Sequence, residues 1–269
     1  MSRKRSLLPD VYRHRKKVCL APKNGTTLNV ETSSSLWNQE PLENNVPNDT
    51  KATLLYLKNL FPVEKFEGRL PPIILKHQLY SILKNRTVVD KQLEDLRLSG
   101  EIRLFRLGGE MEEYCIVFTA DYKSHVLKTT AEIAVHRGLI NRFLTEIACG
   151  CPDVSVNKQT MINQYRYTDE EITQLVKASV LTVRDIGSWW VSIPDAGLFM
   201  KSFTRGRKAV LMMITKSKYK ETLQNDLETR KLPKVAKLGM AYHIHDIIGA
   251  DLVECISTSS GPLLRKSAC

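Results

Sequence analysis

Apolar residues along the chain recur with two different periods, and the switch from one to the other happens three times. In residues 87–109, Val89, Leu93 and Leu96 fall at i, i+4 and i+7, the spacing of one buried helix face, and Ser99-Gly100 marks the stop. Thr87 with Asp90 three residues later resembles a capping box, with Asp in the place of the usual Glu or Gln. Ile102 and Leu104 then alternate with Arg103 and Phe105 as in a half-buried strand, Gly108-Gly109 permits a turn, and the run YCIVFT returns. The same switch recurs further on. Thr168 and Glu171 form a full capping box, Ile172 and Leu175 mark a helix face, Leu181 and Val183 begin a strand, and WWVSI returns after Gly187. In the third place Ile244, Ile247, Val253 and Cys255 take the same offsets, with Gly261 at the return. Counted from the first strand residue, apolar positions stand at −9, −6, 0 and +2 in every copy. The triples are Leu93/Ile172/Ile244, Leu96/Leu175/Ile247, Ile102/Leu181/Val253 and Leu104/Val183/Cys255.

Helical material precedes each copy. ATLLYLKNLF and PPIILKHQLYSIL read as two short helices, the second entered through Pro71-Pro72. The copies lie about 70–80 residues apart, a normal size for a small domain. Helices followed by a two-stranded wing are the winged-helix form of the helix-turn-helix. The expectation is therefore an α+β, mostly helical chain of three tandem winged helices at 50–121, 122–194 and 195–266. A single α+β domain with coincidental internal similarity is the competing reading. Residues 1–49 lack an apolar period and are rich in Asn, Ser, Thr, Pro and charge, so they read as a disordered basic arm.

Composition adds a polyanion to this picture. The 269 residues are 42% apolar, enough for a real core, and carry a net charge of +11. Residues 1–23 hold eight Arg and Lys against Asp10 alone, and residues 201–237 hold eleven against Glu221, Asp226 and Glu228, so the rest of the chain is net acidic. Such clustering is the footprint of a polyanion partner rather than of general solubility. In the arm, Arg3, Lys4 and Arg5 are followed by Arg13, Arg15, Lys16 and Lys17, which suits a bipartite nuclear localisation signal and equally a phosphate-binding arm. Trp37 is the one odd large apolar residue there, either a short partner-binding motif or a linker residue. No apolar run approaches a membrane span, and residues 1–17 are charged where a signal peptide is apolar, which predicts a soluble intracellular protein.

On a helical wheel, Lys201, Arg205, Lys208 and Lys216 form one stripe, opposite Phe199, Phe203, Val210 and Ile214. Arg207, Lys218, Lys220, Arg230, Lys231 and Lys234 extend the basic zone, with Lys237 leading into the next helix, and Arg103 and Arg106 lie on the first wing. These are the candidate phosphate contacts, mainly to backbone, with RNA as well as DNA in reach. An ordinary solvated lysine face is the bland alternative. The second copy opens with Asp169-Glu170-Glu171, which phosphates repel, so it reads as a protein-binding module. Trp189 shares a strand face with Val191 and Ile193. Trp190 faces the other way, as an interface anchor or as packing between neighbouring units.

Catalytic chemistry finds no footing. His243-x-His245 with Asp246 suggests a metal, but i and i+2 point apart on a helix, and buried core histidines are the better reading. His77, His125 and His136 stand alone, and Cys149-Gly-Cys151 lacks two further ligands. No catalytic residue, metal or cofactor is expected.

The segments LEDLRLSGEIRL, LTVRDIGSWW, KYKETL and YHIHDIIGADLVECISTSSGPLLR resemble the serine/threonine-protein kinase 19 family, over residues 51 to about 265. The kinase label has no support in the residues. A kinase needs a glycine-rich loop, a strand lysine, an H-R-D catalytic loop and a D-F-G metal site. The nearest likeness, Arg184-Asp185-Ile186-Gly187, lies in a wing turn without the preceding His. The resemblance implies a nuclear tandem winged-helix protein that binds DNA in transcription-coupled nucleotide excision repair. Its implied partners are stalled RNA polymerase II, the Cockayne-syndrome ubiquitin ligase and the TFIIH helicase. A monomer or a DNA-induced dimer is expected. A protein–protein adaptor whose basic surface meets an acidic partner remains the alternative, with a protein kinase behind it.

Overall fold

Each sheet of the fold is assembled around a hairpin that the sequence announces. A computed structural model describes residues 49–107, 114–131 and 137–267, so the basic arm, the Gly108-Gly109 turn, Trp37 and His136 lie outside the described residues. Helix α1 (Asp49–Asn59) buries Thr50, Thr53, Leu54 and Leu57 on one face. Strand β1 (Ile74–Leu75), helix α2 (Arg86–Leu98) and strands β2 (Ile102–Arg106) and β3 (Tyr114–Phe118) follow. Next come α3 (Thr119–Thr130), α4 (Arg137–Phe143), β4 (Ser155–Asn157), α5 (Asp169–Lys177), β5 (Leu181–Asp185) and β6 (Ser188–Val191). The last stretch holds α6 (Ala196–Thr215), β7 (Glu221–Leu223), α7 (Gln224–Glu228), α8 (Met240–Gly249), β8 (Val253–Thr258) and β9 (Gly261–Lys266).

The strands make three antiparallel three-stranded sheets of one pattern, ordered β1-β3-β2, β4-β6-β5 and β7-β9-β8. The hairpins are those expected, with Leu104 opposite Ile116, Val183 opposite Trp189 and Cys255 opposite Leu264. The outer strand of each sheet was not foreseen, because two or three residues are too few for alternation to show. This corrects the reading of PPIILKHQLYSIL as a short α-helix. Ile74 and Leu75 pair with Ile116 and Cys115, and the residues after them, Lys76–Ser81, form a 3-10 helix.

Two further details differ from expectation. The α2 cap is Asn85, whose side chain accepts a hydrogen bond from Val88 N, and Thr87 already lies inside the helix. The Thr168–Glu171 capping box is formed as expected, with both reciprocal bonds. At offsets −9, −6 and 0 all nine residues are buried, but Val183 at +2 is 68% exposed, Cys255 is exposed and Leu104 half-buried. The cross-strand partners Ile116 and Leu264 remain fully buried, so the core at this level is closed from the returning strands.

One core cluster runs from Phe61 and Phe66 through Phe105, Tyr122, Phe143 and Leu181 to Phe199, Phe203 and Tyr242, so it passes through all three repeats. Phe61 stacks on Phe66 and on Phe199, with ring centroids 5.3 and 6.3 Å apart, and Phe199 stacks on Phe203 at 5.4 Å. Two smaller clusters lie beneath the first and third hairpins, around Leu54, Leu93 and Ile116, and around Val210, Ile247 and Leu264.

Candidate nucleic-acid interface

Helix α6 has a wet and a dry side because its apolar residues repeat at helical spacing. Phe199, Phe203, Val210 and Ile214 are buried, while Lys201, Arg205 and Lys208 are exposed. Lys216 caps the helix and is exposed, and a tight turn carries exposed Lys218 and Lys220 into β7. The segment after α7 brings exposed Arg230, Lys231 and Lys234, then returns to α6, where Lys237 N donates to Ser202 Oγ at 2.8 Å. Among the described residues, none of these nine exposed side chains forms an ion pair. Of the acids nearby, Glu221 is engaged by Arg265 at 2.7 Å, and Asp226 and Glu228 sit on α7. Unneutralised cations on a rigid helix can replace the counterions of a phosphate backbone without first breaking internal pairs.

Three of the twelve candidate contacts occupy other roles. Arg103 is 4% exposed, and its guanidinium donates to the carbonyls of Cys151 and Asp153, the latter at 3.0 Å, tying β2 to the loop before β4. Burial pulls its pKa below the ordinary arginine value. Arg207 is 8% exposed, with Nε bonded to Asp246 Oδ2 at 2.8 Å and its guanidinium over the Phe203 ring at 4.5 Å. Neither can reach a phosphate. Arg106 is half-buried, 5.0 Å from the centroid of Trp190, whose ring also meets Arg184 at 4.4 Å. Trp190 therefore packs between the first and second sheets, one of the two roles its strand position allowed. Exposed Val183 and Leu198 continue that wall.

In a winged helix the third helix enters the groove. Here the third-repeat helix, α8, is covered by the 3-10 helix Lys76–Ser81 of the first repeat. Tyr242 Oη donates to Ile73 O and Gln78 Nε2 to Tyr242 O, both at 2.9 Å. Ser81 Oγ lies 2.8 Å from His245 Nδ1, with Tyr56 Oη 3.4 Å from its Nε2. Asp246, fully buried, takes His77 Nε2 at 2.7 Å and Arg207. Burial opposes its ionisation, but the bonds from Arg207 and His77 outweigh that and hold the carboxyl below its ordinary value. So the histidines of α8 serve packing and internal bonds, as expected, whereas His77 is not isolated. A Cβ on Gly249 would lie 2.0 Å from His77 O, so only glycine lets the two backbones approach this closely. Sequence reasoning missed this contact, although Arg207 falls on the apolar arc of its helix, a signal that it has a buried partner.

Helix α5 buries Ile172 and Leu175 and opens with exposed Asp169 and Glu170 and half-buried Glu171, the acidic first turn that the sequence indicated. Among the described residues no group of His, Cys, Asp and Glu is placed to hold a metal ion, and no helix is long and apolar enough to cross a membrane. The localisation-signal residues Arg3, Lys4, Arg5, Arg13, Arg15, Lys16 and Lys17 lie outside the described residues.

Known proteins give this arrangement a context. The chain is 47% identical over 219 residues to winged helix repair factor 1 of Homo sapiens, covering 81% of this chain and 86% of the relative. It is 42% identical over 267 residues to the Xenopus laevis protein of that name, covering 99% of each. Serine/threonine-protein kinase mug51 of Schizosaccharomyces pombe is 22% identical over 221 residues, 74% of this chain and 67% of the relative. Residues 44–266 match the family described as inactive serine-threonine protein kinase 19. With that span and those identities, the chain belongs to the inactive serine-threonine protein kinase 19 family.

Proposed function

We propose that the chain is a nuclear, non-enzymatic protein of three tandem winged helices, at 50–121, 122–194 and 195–266, that binds DNA as a scaffold in transcription-coupled nucleotide excision repair. Three sheets of one strand order support the threefold division. The family's description as inactive and the relatives' name, winged helix repair factor 1, support repair without catalysis. The family resemblance points to RNA polymerase II, the Cockayne-syndrome ubiquitin ligase and TFIIH as partners.

The observation that carries DNA contact is the exposed cation set of Lys201, Arg205 and Lys208, continued by Lys216, Lys218, Lys220, Arg230, Lys231 and Lys234, which form no ion pair among the described residues. With α8 covered, contact falls on phosphates rather than bases, so binding is salt-sensitive and tolerant of sequence. Reversing Arg205, Lys208 and Arg230 to Glu is expected to weaken duplex binding at least tenfold in a mobility-shift titration. The slope of log K against log salt should drop by about one for each phosphate that is no longer neutralised. Unchanged affinity would remove this reading. It would favour an adaptor that docks proteins along the wall of Trp190, Val183 and Leu198.

A further inference from the structure

Tyr219, at 70% exposure, is the most exposed tyrosine, phenylalanine or tryptophan among the described residues. It stands between Lys218 and Lys220, three residues beyond Lys216, and the Lys218 ammonium lies 5.3 Å from its ring centroid. The turn that presents it is fixed. Lys220 N donates to Ser217 O at 3.0 Å, Ser217 N to Ile214 O at 3.1 Å, and Lys266 N to Lys220 O at 3.1 Å. Ser217 Oγ bonds Ile214 O at 2.6 Å and lies 2.8 Å from Thr222 Oγ1, and Lys220 takes a left-handed φ of 56° to close the turn. One end is therefore pinned to α6 and the other to the β7–β9 pair. Nothing in the core needs this ring to face water.

We propose that Tyr219 is a stacking platform for an unpaired nucleobase. The chain thereby recognises the junction where a duplex opens into a single strand. This deepens the DNA-binding reading and rests on it. Every base has a π face, so an exposed aromatic ring between cations holds single strands without reading their sequence. The pinned turn lowers the ordering cost of stacking, because the ring is already presented. Geometry supplies the junction. From Lys201 to Lys216, fifteen helical steps cover about 22 Å, which is about six base pairs of duplex. Tyr219 lies just past the end of that track, so a base stacked there belongs to the strand leaving the duplex.

The test compares the full chain with Tyr219→Ala, Tyr219→Phe and the triple variant Lys201→Glu/Arg205→Glu/Lys208→Glu. Each is titrated by fluorescence anisotropy against a blunt duplex of about 20 base pairs and the same duplex carrying a single-stranded overhang of about ten nucleotides, long enough to fill one single-strand site. The native chain should prefer the overhang about tenfold, within the range that stacking one base provides. Tyr219→Ala should lose that preference and keep blunt-duplex affinity within about twofold, Tyr219→Phe should keep both, and the triple variant should weaken both ligands. Equal loss on both DNAs with Tyr219→Ala would reduce the residue to a part of the turn and overturn the proposal, as would a native chain with no overhang preference. Both results leave the phosphate track standing if the triple variant binds weakly. If the triple variant binds as the native chain does, the DNA-binding reading itself fails.

Discussion

His243 is fully buried, and among the described residues neither ring nitrogen has a hydrogen-bond partner. Its ring stacks on Phe203 at 6.0 Å and leaves room only for the glycine at Gly206, where a Cβ would come within 2.0 Å of Nε2. Burial first, then the nearby Arg207, lower its pKa to about 4, with Asp246 opposing. The unfolded chain keeps the ordinary value of about 6.5, so on acidification the unfolded state takes the proton first. The stability this group contributes is complete above about pH 6.5 and is lost as pH falls towards about 4, amounting to about 2 kcal/mol by pH 5. His125 and His245 are lowered in the same direction by burial, so the comparison must be made with a variant. Urea midpoints at about pH 7.5 and about pH 5 should show a smaller drop for His243→Leu than for the native chain. Equal drops would mean that His243 is not held neutral in the fold.

Among elements, the decisive packing is α8 against the 3-10 helix Lys76–Ser81. Gly249→Ala pushes a methyl group into His77 O and should destabilise the fold by about 1–3 kcal/mol, as overpacking does. Gly197→Ala in α6 meets nothing within 4 Å and should be neutral or stabilising. Thermal melts of the two variants check this directly, and a native-like melt for Gly249→Ala would contradict the packing. The same contrast shows what was legible beforehand. The α6 and α8 faces and the three hairpins follow from local periods, since Phe199, Phe203, Val210 and Ile214 encode their own face. Partners distant in the chain left only indirect traces. Arg207 looked like one more cation of a basic helix, and its wheel position on the apolar arc was the single hint of Asp246. Arg103 alternates with apolar residues as a solvent-facing strand residue would, so no local pattern could reveal the carbonyls of Cys151 and Asp153 that cover it.

For the whole molecule, the consequence lies in the continuous core. Three independent winged helices would melt in separate steps, whereas Phe61, Phe105, Leu181, Phe199 and Tyr242 belong to one cluster. Unfolding is therefore expected as one transition, with tryptophan fluorescence, dominated by Trp189 and Trp190 of the middle repeat, coinciding with far-ultraviolet circular dichroism. Resolved separate transitions would show that the repeats are energetically independent. The charge distribution follows the same plan, with cations on the outer face of α6 and α8 of that repeat turned inward. The Tyr242 hydroxyl closes on Ile73, 169 residues earlier. At a ribosomal pace of about 5–20 residues per second, the first repeat waits about 8–34 s for the side chains that cover it. Until then its apolar surface around Ile73 and Leu75 is open to whatever else the nascent chain meets, which makes the synthesis of α8 a deadline for the first repeat.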